Sequence, residues 1–508
     1  MQPDRLHDKE IMVEQAQTLA VQSPSMAHDV TAERNGAPQT TAGENAETFR
    51  TVQIGRALAV IIPIVLWFAP LPLERPAQKA IAVTAFMIIA WITHALDHAV
   101  TGLIGCYLFW ALGVAKVEIA FGGFSSSTPW FLFGAVLFGT MAAKSGLGRR
   151  LAYLVMRGVG DTYSRLLLGL IISDFLLTFP VPSGIARVVI MAAVAIGLIE
   201  AAGVDRGSNL GRGLFIILTY TANIFDKMII AGAAAITAQG LIAQVGHVEV
   251  LWSRWFLAFL PVTGLTILVA WRLTLWLYPP ERDALADRSH ILHDKLRALG
   301  PWSILEKKTA ILMSIAIGLW MTDRLHHLSP AIVALGIALL ATLPGIRVLD
   351  VEDLKKVNYL PVFFVAAAVS MSQVLVSTKA LDVLTKVMFG WMEPLLGNIY
   401  SSTFVLYWTA FVYHIFLGDE VSMLSSSIPP LMNYATAHGL SPLVIGMIWT
   451  FGSGAKIFVY QSAVLVVGYS YGYFNSRDMF RIGLMLSVVE FVFLFLLAPF
   501  YWPLIGIK

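Results

Sequence analysis

Long apolar runs follow one another along this chain from about residue 57 to residue 508, and few charged residues interrupt them. Charged residues make up 13% of the chain, whereas soluble proteins carry about 25%. A soluble domain so poor in charge would not cover its surface, so the sequence indicates a protein that crosses a membrane many times. This composition excludes a soluble enzyme, a nucleic-acid binder and a disulfide scaffold. The single cysteine, Cys106, cannot form an internal disulfide.

The lengths of the apolar runs set the fold class. At roughly 35 residues per span and loop, the chain has room for about 11 to 13 membrane segments. We therefore predict an all-α polytopic membrane protein with about 11 transmembrane helices and two re-entrant hairpins. Residues 1–50 are polar and acidic and are predicted to form a disordered tail. Because no signal-peptide pattern precedes the first apolar run, we expect this tail in the cytoplasm.

A polar segment at residues 279–308 divides the membrane part into two halves, residues 51–278 and 309–508. Its lysine and arginine residues place it in the cytoplasm by the positive-inside rule. Each half contains an interrupted apolar segment, and we expect hairpins near residues 170–200 and 412–437. The first interruption covers residues 180–184 and the second covers residues 418–430. Paired interruptions in two halves indicate a transporter's binding site, because broken backbone at membrane depth persists only beside a cavity or ligand.

Two lysines occupy parallel positions in the two halves. Lys227 follows Thr221 by six residues, and Lys456 follows Thr450 by the same spacing, both among apolar residues. A lysine inside a membrane is costly and is usually paired or functional. The simpler alternative is that each lysine extends to an interface or pairs with a neighbour such as Asp226. Our hypothesis is that the two ammonium groups replace bound sodium ions, which predicts transport without sodium.

Residues at the two interruptions are the candidate substrate ligands. Hydroxyls and exposed backbone N–H groups at helix ends bind anion oxygens, although the same serines also serve as helix caps. Arg187 either forms a bidentate contact with a carboxylate or faces the cytoplasmic surface. The candidates are Ser183, Gly184, Ile185, Arg187, Ser425, Ser426 and Ser427.

Two acidic residues open the second interruption. Asp419 and Glu420 have three possible roles: to relay protons, to neutralise a lysine, or simply to lie in solvent at the hairpin mouth. His94, Asp97 and His98 share one helical face, but polar residues at the end of a span explain them better than a metal site. No metal and no cofactor are predicted.

Several segments resemble the divalent anion/sodium symporter family of dicarboxylate, citrate and sulfate carriers. Residues 91–103, W-I-T-H-A-L-D-H-A-V-T-G-L, resemble its W-x-T-E-A-I-P-x-x-V-T-x-L stretch, and residues 130–151 and 329–335 resemble later segments. The likeness covers about residues 55–505. It implies two inverted repeats, a scaffold domain, a transport domain with both hairpins, and a homodimer working by an elevator motion. Where the family has Ser-Asn-Thr at its hairpin tips, only serines match here, and its Thr-Pro-Pro-Asn segments near the sodium sites are missing.

The sequence thus predicts a secondary transporter or exchanger of a small anion in the plasma (inner) membrane. A dicarboxylate is the first substrate expected, with sulfonate, sulfate or citrate as alternatives. The main rival is a proton- or sodium-coupled ion transporter or antiporter of the same superfamily. A membrane-embedded enzyme subunit is the rival from another class, but the chain has no P-loop, H-E-x-x-H or G-x-S-x-G motif. Besides substrate and lipid, a second copy of the chain is the expected partner.

Overall fold

The computed structural model describes residues 42–159, 162–181, 183–281 and 296–507. Within these ranges the chain forms helices and no strands, which confirms the predicted all-α class. Residues 1–41 of the predicted tail and 282–295 of the predicted linker lie outside the described residues. The first helix already begins at Ala42.

Nineteen longer helices within the described ranges carry the architecture. The first half contains α1 (Ala42–Phe68), α2 (Arg75–Ile92), α3 (His98–Ala111), α4 (Ser127–Ser145), α5 (Leu147–Val159), α6 (Tyr163–Thr178), α7 (Gly184–Ala202), α8 (Asn209–Met228), α9 (Ala233–Val245) and α10 (Trp252–Leu277). The second half contains α11 (Ile304–Met321), α12 (Pro330–Leu340), α13 (Leu360–Ser377), α14 (Ala380–Phe389), α15 (Ile399–Phe416), α16 (Glu420–Ala437), α17 (Pro442–Gly454), α18 (Ala463–Ser470) and α19 (Ser476–Leu504).

The order of these helices repeats between the halves. The helices α2 to α4 precede a shorter helix α5, a helix pair α6 and α7, a broken pair α8 and α9, and the long helix α10. The series from α11 to α19 follows the same order, with α14, the pair α15 and α16, and the broken pair α17 and α18 in the matching places. The order agrees with two repeats, and their inverted orientation in the membrane stays a prediction.

Several stretches are long and apolar enough to cross a membrane. They are Asn209–Val245, Trp252–Leu277, Leu360–Ser377 and Ser476–Leu504, four in the described part of the chain. The number rises to five if α4 and α5, which meet at a bend of 70°, form one broken span. Shorter apolar helices such as α3, α12 and α17 accompany them. The chain is therefore a multi-pass membrane protein, and the total of about 11 spans stays a prediction.

The bend between α4 and α5 has a local cause. Gly146 ends α4 with φ 75°, in the left-handed region that favours glycine. Helix α5 then carries Arg150 into the protein, where its Nε donates to Glu306 Oε1 at 2.6 Å and its Nη1 donates to the Gly300 carbonyl at 2.9 Å. Because Glu306 belongs to the capping box that starts α11, this buried pair fastens the two halves together.

A second, exposed ion cluster lies at the same end of α4. Lys144 Nζ donates to Asp350 Oδ2 at 2.9 Å and to Asp353 Oδ2 at 2.5 Å. The hydrogen bond from Lys144 lowers the pKa of Asp350 to about 2. Both aspartates also form the capping box of the short helix Val351–Lys355.

The apolar side chains form two main clusters. The larger cluster spans both halves and surrounds the broken helices. The smaller one joins α2, α3, α13 and α14 through residues such as Trp91, Phe109 and Met371. Two separate cores suit the expected scaffold and transport domains, and that division stays a prediction.

Candidate functional site

The two broken helices meet at the two lysines. Lys456 lies two residues after the end of α17, and its Nζ donates to Asn223 Oδ1 on α8 at 2.6 Å. Lys227, near the end of α8, places its ammonium against the backbone of Gly454, where an added Cβ would collide with it. Each lysine therefore reaches from its own break into the broken helix of the other half. Both side chains are buried, with 2% of each residue exposed.

Glu420 neutralises one of these lysines. Its Oε2 accepts from Lys456 Nζ at 2.5 Å, and its Oε1 accepts from the Ser453 hydroxyl at 3.1 Å. Glu420 is itself buried, so the solvent-exposed role left open above does not fit this residue. The geometry matches the role of balancing a lysine, and a carboxylate in that position also has the chemistry to bind a proton.

Lys227 has a different environment. Its Nζ has no hydrogen-bond partner among the described residues. Two carboxylates, Glu420 and Glu490, interact with it through their charges. Glu490 lies buried on α19, where Glu490 Oε2 accepts from the Tyr407 hydroxyl at 3.2 Å. Because a buried ammonium without a hydrogen bond is costly, a ligand oxygen that accepted a hydrogen bond from this group would remove that cost.

Our sequence analysis missed Glu490. The signal was available, because this acidic residue is isolated in the apolar part of α19, the candidate span of highest hydropathy. An ionisable residue in such a segment is a functional candidate by default.

Arg187 serves the first hairpin. Its Nε donates to Asp174 Oδ1 at 2.8 Å, and its Nη2 lies 2.9 Å from Asp226 Oδ1. Nη1 also donates to the Val181 carbonyl at 3.1 Å, and Nη2 donates to the Ala222 carbonyl at 2.7 Å. The residue is fully buried, so it does not face the cytoplasmic surface. Nor is its guanidinium fork free for a substrate carboxylate, because the protein's own carboxylates occupy it. Asp174, on α6, was not singled out from the sequence.

The tip of the first hairpin is packed against α8. Ser183 is the N-cap of α7 and accepts from the Ala186 N–H at 3.3 Å, so the structure shows the capping role that the sequence left open. Gly184 lies against the Asp226 carboxylate, where a Cβ would collide. Ile185 is half-buried against the large apolar cluster. Pro182, part of the predicted interruption, lies outside the described residues.

The second interruption differs from the prediction, which extended it to residue 430. The chain breaks at residues 417–419, and α16 then runs without interruption from Glu420 to Ala437. Ser425, Ser426 and Ser427 therefore lie inside a helix rather than at a tip, as do both prolines.

The serine hydroxyls find their partners inside the helix, so they do not require a break. Ser426 and Ser427 donate to carbonyls one turn earlier, at 2.8 and 2.6 Å. The two prolines leave the carbonyls of Ser425 and Ser426 without helical N–H donors, and packing against neighbouring helices makes such prolines tolerable in membrane helices. Ser427 also accepts from the Trp449 indole at 2.9 Å, whereas the buried Ser425 hydroxyl has no partner within the described ranges.

Asp419 and Glu420 form the second tip instead. Asp419 is the N-cap of α16, and its side chain accepts from the Val421 N–H at 3.0 Å and from the Ser422 hydroxyl at 2.6 Å. Its other contact crosses to α3, where His98 Nε2 lies 3.6 Å from Asp419 Oδ2. The acidic tip thus touches α3 on one side and Lys456 on the other.

A multi-pass helical protein whose broken helices meet at buried charges has the architecture of a secondary transporter. The chain belongs to the family described as the sodium:sulfate symporter transmembrane region, whose model matches residues 50–508. This finding confirms the resemblance drawn from the sequence. The protein is accordingly a membrane transporter of that family and not an enzyme.

Named relatives agree with this assignment. The chain is 24% identical over 476 residues to a putative malate transporter of Bacillus subtilis strain 168, covering 89% of this chain and 96% of the relative. It is also 24% identical over 480 residues to the L-tartrate/succinate antiporter of Escherichia coli K12, covering 88% and 97%. A membrane protein of Cupriavidus necator is 24% identical over 491 residues, covering 90% and 93%.

Proposed function

We propose that the protein is a secondary transporter or exchanger of a small anion, with C4 dicarboxylates as its first substrates. The observation that carries this proposal is the meeting of Lys227 and Lys456, two buried ammonium groups, at the crossing of the two broken helices. Two fixed positive charges suit the two carboxylates of a dicarboxylate. Relatives named as transporters of malate and of tartrate and succinate support the same substrate class.

The proposed substrate position lies between the hairpin tips. Lys227 and Lys456 bind the carboxylates, and the backbone N–H groups at the start of α7, beside Ser183 and Gly184, supply the partial positive charge of a helix N-terminus. The Ser425 hydroxyl, which has no partner in the described part of the chain, is a further candidate ligand. Arg187 holds the first hairpin against α8 and acts on the substrate only through that position.

The lysines also account for the proposed independence from sodium. A bound sodium ion travels down its gradient with the substrate and drives transport, whereas a lysine ammonium returns with the carrier. The transport elements, the hairpins and the broken helices, then move by an elevator motion against a scaffold built around α2, α3 and α13 in a homodimer. We place the protein in the plasma (inner) membrane, with its N-terminal segment in the cytoplasm.

Ligand-induced stabilisation of the detergent-purified protein tests this function. Succinate, malate, tartrate, citrate, sulfate and a sulfonate are added in sodium chloride and, separately, in potassium chloride. A ligand that binds only the folded state raises Tm as its concentration exceeds Kd. We expect dicarboxylates to raise Tm equally in both salts, and the variants Lys227→Met and Lys456→Met to lose the response. Stabilisation in sodium alone would refute replacement of sodium by lysine, and no response to any anion would refute the substrate class.

One observation favours a second candidate, a cation/proton antiporter. Four acidic residues are placed beside the broken helices, namely Asp174, Asp226, Glu420 and Glu490. In that case the panel of anions changes nothing, and a pH gradient drives sodium or potassium flux through proteoliposomes. Flux of labelled succinate without sodium or potassium flux decides for the anion transporter.

A further inference from the structure

The charges around the two lysines balance. Lys456 pairs with Glu420, and Lys227 interacts with Glu420 and Glu490. Two ammonium groups and two carboxylates therefore share one buried cluster, and its formal charge is zero when all four are ionised. The side chains that complete its hydrogen bonds are neutral: Asn223 and Ser453 at Lys456 and Glu420, and Tyr407 at Glu490.

This balance creates a conflict with the proposed substrate. A dicarboxylate dianion that enters the neutral cluster brings two negative charges into a buried site, which is unfavourable unless they are compensated. The ammonium group of Lys456 already has a carboxylate partner. The substrate binds without a charge penalty only if both glutamates lose their charges when it arrives.

We propose that Glu420 and Glu490 are the proton-binding sites of a proton–dicarboxylate symport in which two protons accompany each dianion. This inference rests on the proposed function. Each glutamate takes one proton from water onto a carboxylate oxygen as the substrate binds, and each lysine exchanges its glutamate for a substrate carboxylate. On the other side the substrate leaves, both protons return to water, and the glutamates interact with the lysines again. Neither the loaded nor the empty cluster carries net charge, so the transport step is electroneutral.

The groups that face the two glutamates support this assignment. Glu420 interacts with Lys456, which follows α17, and with Ser453, which lies on α17. Lys227 on α8 and His414 on α15 also interact with it. Asp419 is its neighbour in the chain. His414 Nε2 donates to the Gln461 carbonyl at 3.1 Å, which ties it to the segment before α18. His414 is therefore bonded to the backbone beside the cluster and is not one of the groups that pair with the lysines.

Glu490 meets Tyr407 on α15, together with Lys227, Lys456 and Glu420. Asp226 also acts on Lys456, but it lies in ion-pair contact with Arg187. Asp226 is thus held by Arg187, whereas Glu420 and Glu490 both interact with Lys227 and share its cluster. They are the two whose protonation releases a lysine charge.

The test measures protons and substrate together in sodium-free proteoliposomes. The full chain is reconstituted with potassium on both sides and valinomycin to set the potential. Labelled succinate is added at a pH where it is dianionic, and a trapped pH dye reports proton entry. We expect an inward proton gradient to drive accumulation, two protons per succinate, and an initial rate that does not change with membrane potential.

Variants assign the two protons. Glu420→Gln or Glu490→Gln imitates a permanently protonated glutamate, so each should lower the ratio to one proton per succinate and make uptake sensitive to the potential. The exposed Glu352, at a distant surface, offers the control Glu352→Gln, which should keep the ratio of two. If a variant does not fold, the proton count of the wild-type protein still decides.

The outcomes separate this inference from the proposed function. Succinate exchange without proton movement, or uptake driven by membrane potential in the wild-type protein, overturns the proton sites and leaves the anion transporter intact. A proton count that stays at two in both glutamine variants overturns the assignment to these residues. Absence of any succinate flux, including exchange, overturns the proposed function and this inference together.

Discussion

The two halves of the protein both bury an ion contact between a hairpin and a broken helix, but they place the charges in opposite order. In the first half the base, Arg187, stands on the hairpin helix α7, and the acid, Asp226, on the broken helix α8. In the second half the acid, Glu420, starts the hairpin helix α16, and the base, Lys456, follows the broken helix α17. The contact between hairpin and broken helix therefore occurs in both halves, but different residues form it.

The difference separates a structural contact from an exchangeable one. The planar guanidinium of Arg187 is shared among two carboxylates and two carbonyls, which fixes its orientation. The ammonium of Lys456 has one carboxylate and one amide oxygen, and that of Lys227 has no hydrogen-bond partner among the described residues. The Arg187 contact thus fixes the first hairpin, whereas Lys227 and Lys456 are groups that a ligand can compete for.

The difference between the two halves is tested most strongly by removing Arg187. The variant Arg187→Met leaves Asp174 and Asp226 buried without a counter-charge, so we expect a loss of about 3–5 kcal/mol in the free energy of unfolding. Thermal unfolding and the yield of monodisperse protein measure the loss. The triple variant with Asp174→Asn and Asp226→Asn should recover most of it. A stable single variant that no longer responds to dicarboxylates would instead make Arg187 a substrate ligand.

The two lysines should respond differently to the same change. Lys456→Met leaves Glu420 without its ion pair and should destabilise the protein by about 3 kcal/mol. Lys227→Met removes a buried ammonium without a hydrogen-bond partner among the described residues, but it also removes a counter-charge of Glu490, so the loss should be smaller, about 1–2 kcal/mol. Both variants should lose dicarboxylate binding. Equal thermal stability of the two variants would contradict the described asymmetry.

Gly454 offers a smaller change that moves Lys227 without removing it. In Gly454→Ala the added Cβ occupies the place of the ammonium, and the flexible end of the lysine moves away. We expect little change in Tm but a rise of about tenfold in the Kd for succinate, or about 1.4 kcal/mol. Gly264, also inside a helix, has open space around its Cβ position, so Gly264→Ala is the matched control. An unchanged Kd in Gly454→Ala would show that the position of Lys227 does not matter.

The smallest effect is expected where the second tip meets α3. His98 and Asp419 are partly exposed and 3.6 Å apart, and such a pair contributes at most about 1 kcal/mol. His98→Gln should therefore shift Tm only slightly. A large loss of Tm would show that His98 stabilises the fold by more than this contact.

Hydropathy was enough to predict the helical class, and spacing was enough to single out the two lysines. Both signals are local properties of the sequence and need no knowledge of the packing. The partners of Arg187 were not predictable, because Asp174 and Asp226 meet it only through the packing of α6, α7 and α8. The serines of α16 were misplaced because serine and proline are typical of a break in sequence. Inside a packed helix the hydroxyls of Ser426 and Ser427 bond to carbonyls of the same helix, so these serines need no break to find partners. Glu490 was within reach of sequence reasoning, as an isolated acid in an apolar helix.

The sodium requirement of transport tests the central claim most directly. Labelled succinate is trapped in proteoliposomes containing the full chain, and its exchange with external succinate is followed in sodium, potassium and choline salts of equal ionic strength. If Lys227 and Lys456 stand in for bound sodium, the exchange rates are equal in all three salts. Exchange that occurs only in sodium would contradict the account. The two lysines would then have a structural role and would not belong to the binding site.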